Sequence, residues 1–155
     1  MASISNTARR STLPRRTVQY WYDHKAVEPG EIEIVRLLRP FAHMGAPIGV
    51  IKVVAIALRD SLLKGDGQHA VVVNAARAGK PAYLAVKIIP TPGRAQEGEF
   101  GSYLPDLFST CSRKVLAEHV ASAMKITPAL PLVMVNLTEA LSTERILEAG
   151  DDDDR

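Results

Sequence analysis

The 155 residues suffice for one domain with a sizeable core, which must be aliphatic because 46% of the residues are hydrophobic and only 5% aromatic. The single cysteine, Cys111, excludes an internal disulfide and a cysteine zinc site, and it favours a reducing compartment. The net charge of +2 does not by itself indicate a partner, and no apolar run approaches the roughly 20 residues of a membrane span.

The charges are polarised between the two ends of the chain. Residues 1–16 are rich in Ser, Thr and Arg and lack acids, which predicts a disordered basic arm or, alternatively, an organellar transit peptide. Residues 151–155 form an acidic tail. Residues 17–150 are expected to form a single globular domain. We expect a cytoplasmic protein, or an organellar one if the arm is a transit peptide.

The first half of the domain is predicted to contain two strands and a helix. Thr17–Asp23 combines β-branched and aromatic residues, and Glu31–Leu38 begins with alternating apolar and acidic residues, so both are typical of strands. Apolar residues then recur four apart from Val50 to Leu62, which predicts a helix with Pro47 in its first turn.

Two interpretations of the secondary structure remain open for the middle of the chain. The continuous apolar run His69–Asn74 is typical of a strand buried on both faces, and Pro81–Ile89 then fits a helix that ends at Pro90. Alternatively, His69–Asn74 and Tyr83–Ile88 form a β-hairpin.

The second half is predicted to hold a polar loop over Thr91–Ser102, an amphipathic helix over Leu104–Lys125, a strand over Leu132–Leu137 and a helix over Thr138–Ala149. The expected fold class is therefore α/β or α+β, with a small sheet of three or four strands packed against helices.

One basic turn is a candidate phosphate site. Arg77-Ala78-Gly79-Lys80 lies between the predicted buried strand and the predicted helix, and backbone N–H groups at a helix start attract phosphate. A complete phosphate loop would need G-x-x-x-x-G-K-[ST], which the sequence lacks, so a solvated turn is the alternative.

Three consecutive aromatic residues follow the basic arm. Tyr20, Trp21 and Tyr22 fit stacking on unpaired bases, beside arginines that neutralise phosphates, and they equally fit core packing.

The titratable residues do not form a recognisable catalytic or metal-binding set. The four histidines, at positions 24, 43, 69 and 119, include no closely spaced ligand pair. On one predicted helix, Cys111 and His119 would lie about 12 Å apart, too far for a nucleophile and its base. Cys111 is therefore expected to be a small core residue, and no catalytic residue, metal or cofactor is predicted.

The central segments are similar to the Alba superfamily, nearest its stage V sporulation protein S branch. The matching segments are EIEIVRLL at 31–38, VVAIALRDSLL at 53–63, HAVVVNA at 69–75, ARAG at 76–79 and PAYLAVKII at 81–89. The resemblance implies a βαβα core, extended here by a C-terminal helix, and a dimer. It also implies contact with DNA or RNA backbone from the Arg39–Gly45 and Arg77–Lys80 loops.

Together these features predict a non-enzymatic nucleic-acid-binding or nucleoprotein component that forms a homo-oligomer and has no membrane partner. A structural or assembly protein with protein partners at its termini is the alternative, and a small enzyme of unknown chemistry comes third. The predicted nucleic-acid-binding residues are Arg9, Arg10, Arg15, Arg16, Arg39, His43, Lys52, Arg77, Gly79 and Lys80.

Overall fold

A computed structural model describes residues 3–64, 67–90, 103–126 and 131–142. Its helices are α1 (Ile4–Ser11), α2 (Arg15–Asp23), α3 (Ile32–His43), α4 (Ile48–Ala57, continued by a π-helical turn over Leu58–Leu62), α5 (Ala70–Arg77), α6 (Arg113–Ile126) and α7 (Leu137–Leu141). Its strands are β1 (Tyr83–Pro90), β2 (Tyr103–Thr110) and β3 (Leu132–Asn136).

The three strands form one antiparallel sheet in the order β2-β1-β3. Tyr83 of β1 is opposite Thr110 of β2 and Asn136 of β3. Because side chains alternate along a strand and opposite residues share a face, the register divides the sheet into two faces. One face belongs to the main core with the helices, and the other is partly covered by α6.

The main core is aliphatic, as the composition predicts. Leu84 and Val86 of β1 belong to the same core cluster as the helical residues Leu37, Phe41 and Val54, and all five are 0% exposed. The predicted α+β class, with a small sheet packed against helices, is confirmed.

In place of a disordered arm, residues 3–16 form α1 and the beginning of α2. Ser3 caps α1 by accepting a hydrogen bond from the Asn6 N–H, and Ala8 and Leu13 join the main core. The buried Arg36 side chain of α3 ties α1 to the body by donating a 2.6 Å hydrogen bond to the Arg10 carbonyl. Long-range contacts of this kind leave no local signal in an arginine-rich sequence.

Two segments predicted as strands are helices. Thr17–Asp23 belongs to α2, and Glu31–Leu38 belongs largely to α3. The buried residues of α3 include Ile34, Leu37, Leu38 and Phe41, which follow a helical period that the first alternating residues conceal.

In the middle of the chain, the predicted strand is a helix and the predicted helix is a strand. His69–Asn74, predicted as a strand, lies largely in α5, whereas Pro81–Ile89, predicted as a helix, supplies most of β1. The alternative hairpin was correct about the strand Tyr83–Ile88 but wrong about its partner, because β1 pairs with β2 and β3. Val71 is 79% exposed, so the valine run is not buried on both faces.

The predicted helix Leu104–Lys125 is divided between β2 and α6. Pro105 fits β2 because this is an edge strand, where a missing N–H is tolerated. Cys111, expected in the core, lies exposed between the two elements.

The predictions for α4, β3 and the start of the last helix are confirmed. The βαβα order is wrong, because segments 31–38 and 69–75 are largely helical and 81–89 is largely a strand. The predicted loop 91–102, the remainder of the predicted last helix (143–149) and the predicted acidic tail 151–155 lie outside the described residues.

Candidate nucleic-acid interface

The Arg77–Lys80 turn does not have the geometry that a helix start would give it. It follows the C-terminus of α5, where Gly79 has a φ of +82° and the Lys80 N–H bonds the Ala75 carbonyl. The C-terminal end of a helix carries partial negative charge, which disfavours phosphate. The expectation of a helix N-terminus at this turn is therefore wrong.

Arg77 is also occupied by an acid of the same chain. Its Nε and Nη2 donate to the two carboxylate oxygens of Glu33, over 3.1 and 2.8 Å. Hydrogen bonding to Glu33 raises the pKa of the Arg77 guanidinium, outweighing the effect of burial. Lys80 is exposed, and its carbonyl accepts a hydrogen bond from the Thr138 hydroxyl.

Three other predicted residues are dispersed over α3 and α4. Arg39 forms a 2.9 Å ion pair with Glu139 and donates to the Thr12 hydroxyl. His43 is exposed at the end of α3, and Lys52 is half-buried on α4. The structure therefore does not bring Arg39 and Arg77 together as free cations.

The four arginines of the first segment are carried by α1 and α2. Arg9, Arg15 and Arg16 are exposed, and Arg10 is half-buried. The Arg15 Nε donates a 2.9 Å hydrogen bond to the Ser5 hydroxyl. Neither Arg15 nor Arg16 forms an ion pair within the described part of the chain.

A cleft of about 450 Å³ lies between α2 and the corner that joins α3 to α4; we call it the α2–α4 cleft. Its lining residues are Arg16, Thr17, Tyr20, Trp21, Ala42, Ala46 and Ile48. It therefore combines one guanidinium and the hydroxyl groups of Thr17 and Tyr20 with aromatic and aliphatic surface.

The aromatic residues of α2 have three different environments. Tyr20 is 47% exposed, whereas Trp21 is only 3% exposed and belongs to the main core. Tyr22 is half-buried and donates a 3.2 Å hydrogen bond to the Thr7 hydroxyl. Core packing therefore accounts for Trp21 and much of Tyr22, and of the three only Tyr20 presents an exposed ring.

Tyr20 lies four residues after Arg16 and four before His24, so the three share one side of α2. The Tyr20 and His24 ring centroids are 4.0 Å apart, and His24 Nδ1 lies 2.9 Å from the Tyr20 carbonyl oxygen. His24 was not among the predicted site residues, because Thr17–Asp23 was predicted as a strand, on which residues four apart are about 13 Å from each other. The i, i+4 spacing would have identified it once a helix was assumed.

Positive charge is concentrated in the described part of the chain. Of the 19 Lys and Arg residues only Arg94, Arg145 and Arg155 lie outside it, compared with about half of the 17 Asp and Glu residues. The described residues therefore carry an excess of positive charge, which favours polyanionic partners.

Other chemistry-bearing residues are separated from this cleft. His69 is 5% exposed, with its Nδ1 2.6 Å from the Ser109 hydroxyl, and burial lowers the pKa of the imidazole. The His119 ring stacks on Phe108 at a centroid distance of 3.9 Å. Within the ranges described, no three His, Cys, Asp or Glu side chains are grouped to hold a metal ion.

Among the described residues, no helix combines the length and apolar character needed to cross a membrane. No protein-family model matches the sequence, and no curated protein matches it.

Proposed function

We propose that this protein binds single-stranded nucleic acid through the α2–α4 cleft, without catalysing a reaction. The proposal depends on one observation: the exposed ring of Tyr20 lies beside Arg16 in a cleft. A base stacks on an aromatic ring irrespective of its identity, and a neighbouring guanidinium pairs with the phosphate.

The cleft has room for a base but not for a duplex. Its volume of about 450 Å³ is within the roughly 300–1,000 Å³ of small-molecule pockets. A base can enter it only if it is unpaired, which favours single strands. Arg15, one residue before Arg16, extends the cationic surface toward α1, where its Nε bonds the Ser5 hydroxyl, and we expect it to contact a second phosphate.

The position of Trp21 provides a direct measurement. It is the only tryptophan in the sequence and it lines the cleft, so a base that enters should change its fluorescence. We expect labelled oligothymidylate to bind with an affinity that falls as the salt concentration rises. A plot of the logarithm of the binding constant against the logarithm of the salt concentration should have a slope of about −0.7 for each phosphate contact.

Matched variants separate the cleft from general positive charge. We expect Tyr20→Ala to weaken binding by about 1–3 kcal/mol without changing the salt slope. Arg15→Gln with Arg16→Gln should lower the slope by about 1.4. Lys64→Gln, which removes an exposed cation outside the cleft, should have little effect. Binding that is equally strong in all three variants would refute the proposal.

The second candidate function is protein assembly. The ion pairs of Arg39 and Arg77 leave room for it because they count against nucleic-acid contact at those two residues. Under this alternative the purified protein should self-associate or retain protein partners after nuclease treatment. Its Trp21 fluorescence should not respond to oligonucleotides.

A further inference from the structure

A second concave surface lies on the opposite side of the sheet from the main core. It is a groove of about 650 Å³ between α6 and the edge strand β3, which we call the α6–β3 groove. We propose that this groove binds a carboxylate-headed aliphatic molecule, such as a medium-chain fatty acid. The proposal is independent of nucleic-acid binding.

The groove exists because α6 covers only part of this sheet face. Ala85 of β1 is 1% exposed, and Phe108 of β2 stacks on His119 of α6. Met134, which is opposite Ala85 on β3, is by contrast 58% exposed. The helix therefore lies toward β2 and leaves apolar surface open over β3.

Most of the groove is apolar. Leu116 and Val120 of α6 line one wall, and Met134 of β3 lines the other. Two alanines of α6, Ala117 and Ala121, provide the space between them. From Arg113 to Ala121 the helix rises about 12 Å, which suits the length of a medium alkyl chain.

The polar groups are gathered at one end of the groove. Tyr83 and Asn136 are opposite each other in the sheet, and Arg113 is the first residue of α6. The Asn136 Oδ1 accepts a hydrogen bond from the Glu139 N–H, which leaves its NH₂ group as a donor. A guanidinium, a phenol and an amide therefore offer donors to a carboxylate.

Charge selects an anion at this end. None of the described residues that line the groove is acidic, and the first turn of α6 contains Arg113 and Lys114 without an acid. Positive side chains at a helix N-terminus are unfavourable next to the positive end of the dipole. The carboxylate of a bound ligand would offset the positive charge of these side chains and of the helix dipole, and its alkyl chain would cover Leu116, Val120 and Met134.

Isothermal titration calorimetry with decanoate, below the concentration at which it forms micelles, tests the assignment. We expect saturable binding that strengthens about tenfold from octanoate to decanoate, because each added methylene is buried. Decanol and decyltrimethylammonium should bind at least about tenfold more weakly than decanoate, because they lack the charge-assisted hydrogen bond.

Variants at exposed positions locate the site without disturbing the fold. Arg113→Gln should weaken decanoate binding about tenfold or more, and Ala121→Phe should abolish it by filling the groove. The neighbouring Lys114→Gln, which does not line the groove, should change it less than about threefold.

The proposal would be overturned by the absence of saturable decanoate binding, by equal affinity for decanol, or by unchanged affinity in Arg113→Gln. Sedimentation that shows a dimer dissociated by Ala121→Phe would also overturn it, because a second copy would then occupy the groove.

Discussion

Replacing Arg36 should release the N-terminal helix from the rest of the protein. This side chain is 6% exposed and donates hydrogen bonds to three backbone carbonyls: Arg10 at 2.6 Å, Glu139 at 2.8 Å and Ala140 at 3.1 Å. It thereby connects α3 to both α1 and α7. We expect Arg36→Met, which keeps much of the aliphatic stem, to break all three bonds.

The size of the effect follows from the charge of the donor. Each hydrogen bond to a charged group contributes about 1.5–3 kcal/mol. Water can form hydrogen bonds to the carbonyls that become accessible, so the loss is smaller than the sum of the three bonds. We therefore expect Arg36→Met to lower the free energy of unfolding by about 4 kcal/mol. For a chain of this length, the melting temperature should fall by about 10 °C.

Urea unfolding followed by circular dichroism measures the global change. Hydrogen exchange over residues 4–13 measures the release of α1, which should lose protection more than the sheet does. Arg36→Lys keeps the charge, but a single ammonium cannot reach three separate carbonyls, so an intermediate loss is expected. It also provides a measurement should the methionine variant fail to fold.

Arg15→Met is the matched control, because Arg15 is exposed and makes a single side-chain hydrogen bond to Ser5. It should change the free energy of unfolding by less than about 0.5 kcal/mol. The reasoning is refuted if Arg36→Met unfolds within about 1 kcal/mol of the unmodified protein while α1 keeps its protection.

Three further predictions concern titration and packing. Burial lowers the pKa of His69, so the unfolded chain protonates first and stability should fall as the pH drops below about 6.5. Burial raises the pKa of Glu31, but hydrogen bonds from Arg59 and the Glu28 N–H outweigh it; the resulting stability should be lost as the pH falls below about 4.5. Leu37→Ala should cost about 2–5 kcal/mol, because Leu37 is fully buried.

Unfolding free energies measured from pH 3 to pH 8 check the two titrations. His69→Asn should flatten the dependence between pH 5 and pH 6.5, and Glu31→Gln should flatten the acidic limb; an unchanged profile in either variant contradicts the assignment. For the core, Val71→Ala is the control because Val71 is 79% exposed, and an equal loss in both variants would count against the packing argument.

The candidate site was predictable only in part. Arginines and aromatic residues are close together in the sequence, which is why Arg16 and Tyr20 were recognised as candidate nucleic-acid-binding residues. It did not show that Arg77 pairs with Glu33, 44 residues away, or that Arg39 pairs with Glu139, 100 residues away. Ion pairing across such separations depends on how α3, α5 and α7 pack, and no local pattern encodes it.

The sequence alone determined the aliphatic core, through its composition, and the α+β class. It also determined the helix after Pro47, through apolar residues four apart, and the strand β3, through a short apolar run preceded by prolines. Only the tertiary structure decided that the valine run of α5 is helical and that β1 and β2 are strands. Short apolar segments fit either period, and a strand is stable only when neighbouring strands accept its backbone hydrogen bonds. For β1, those partners are β2 and β3, which follow it in the chain and are invisible to any reading of its own eight residues.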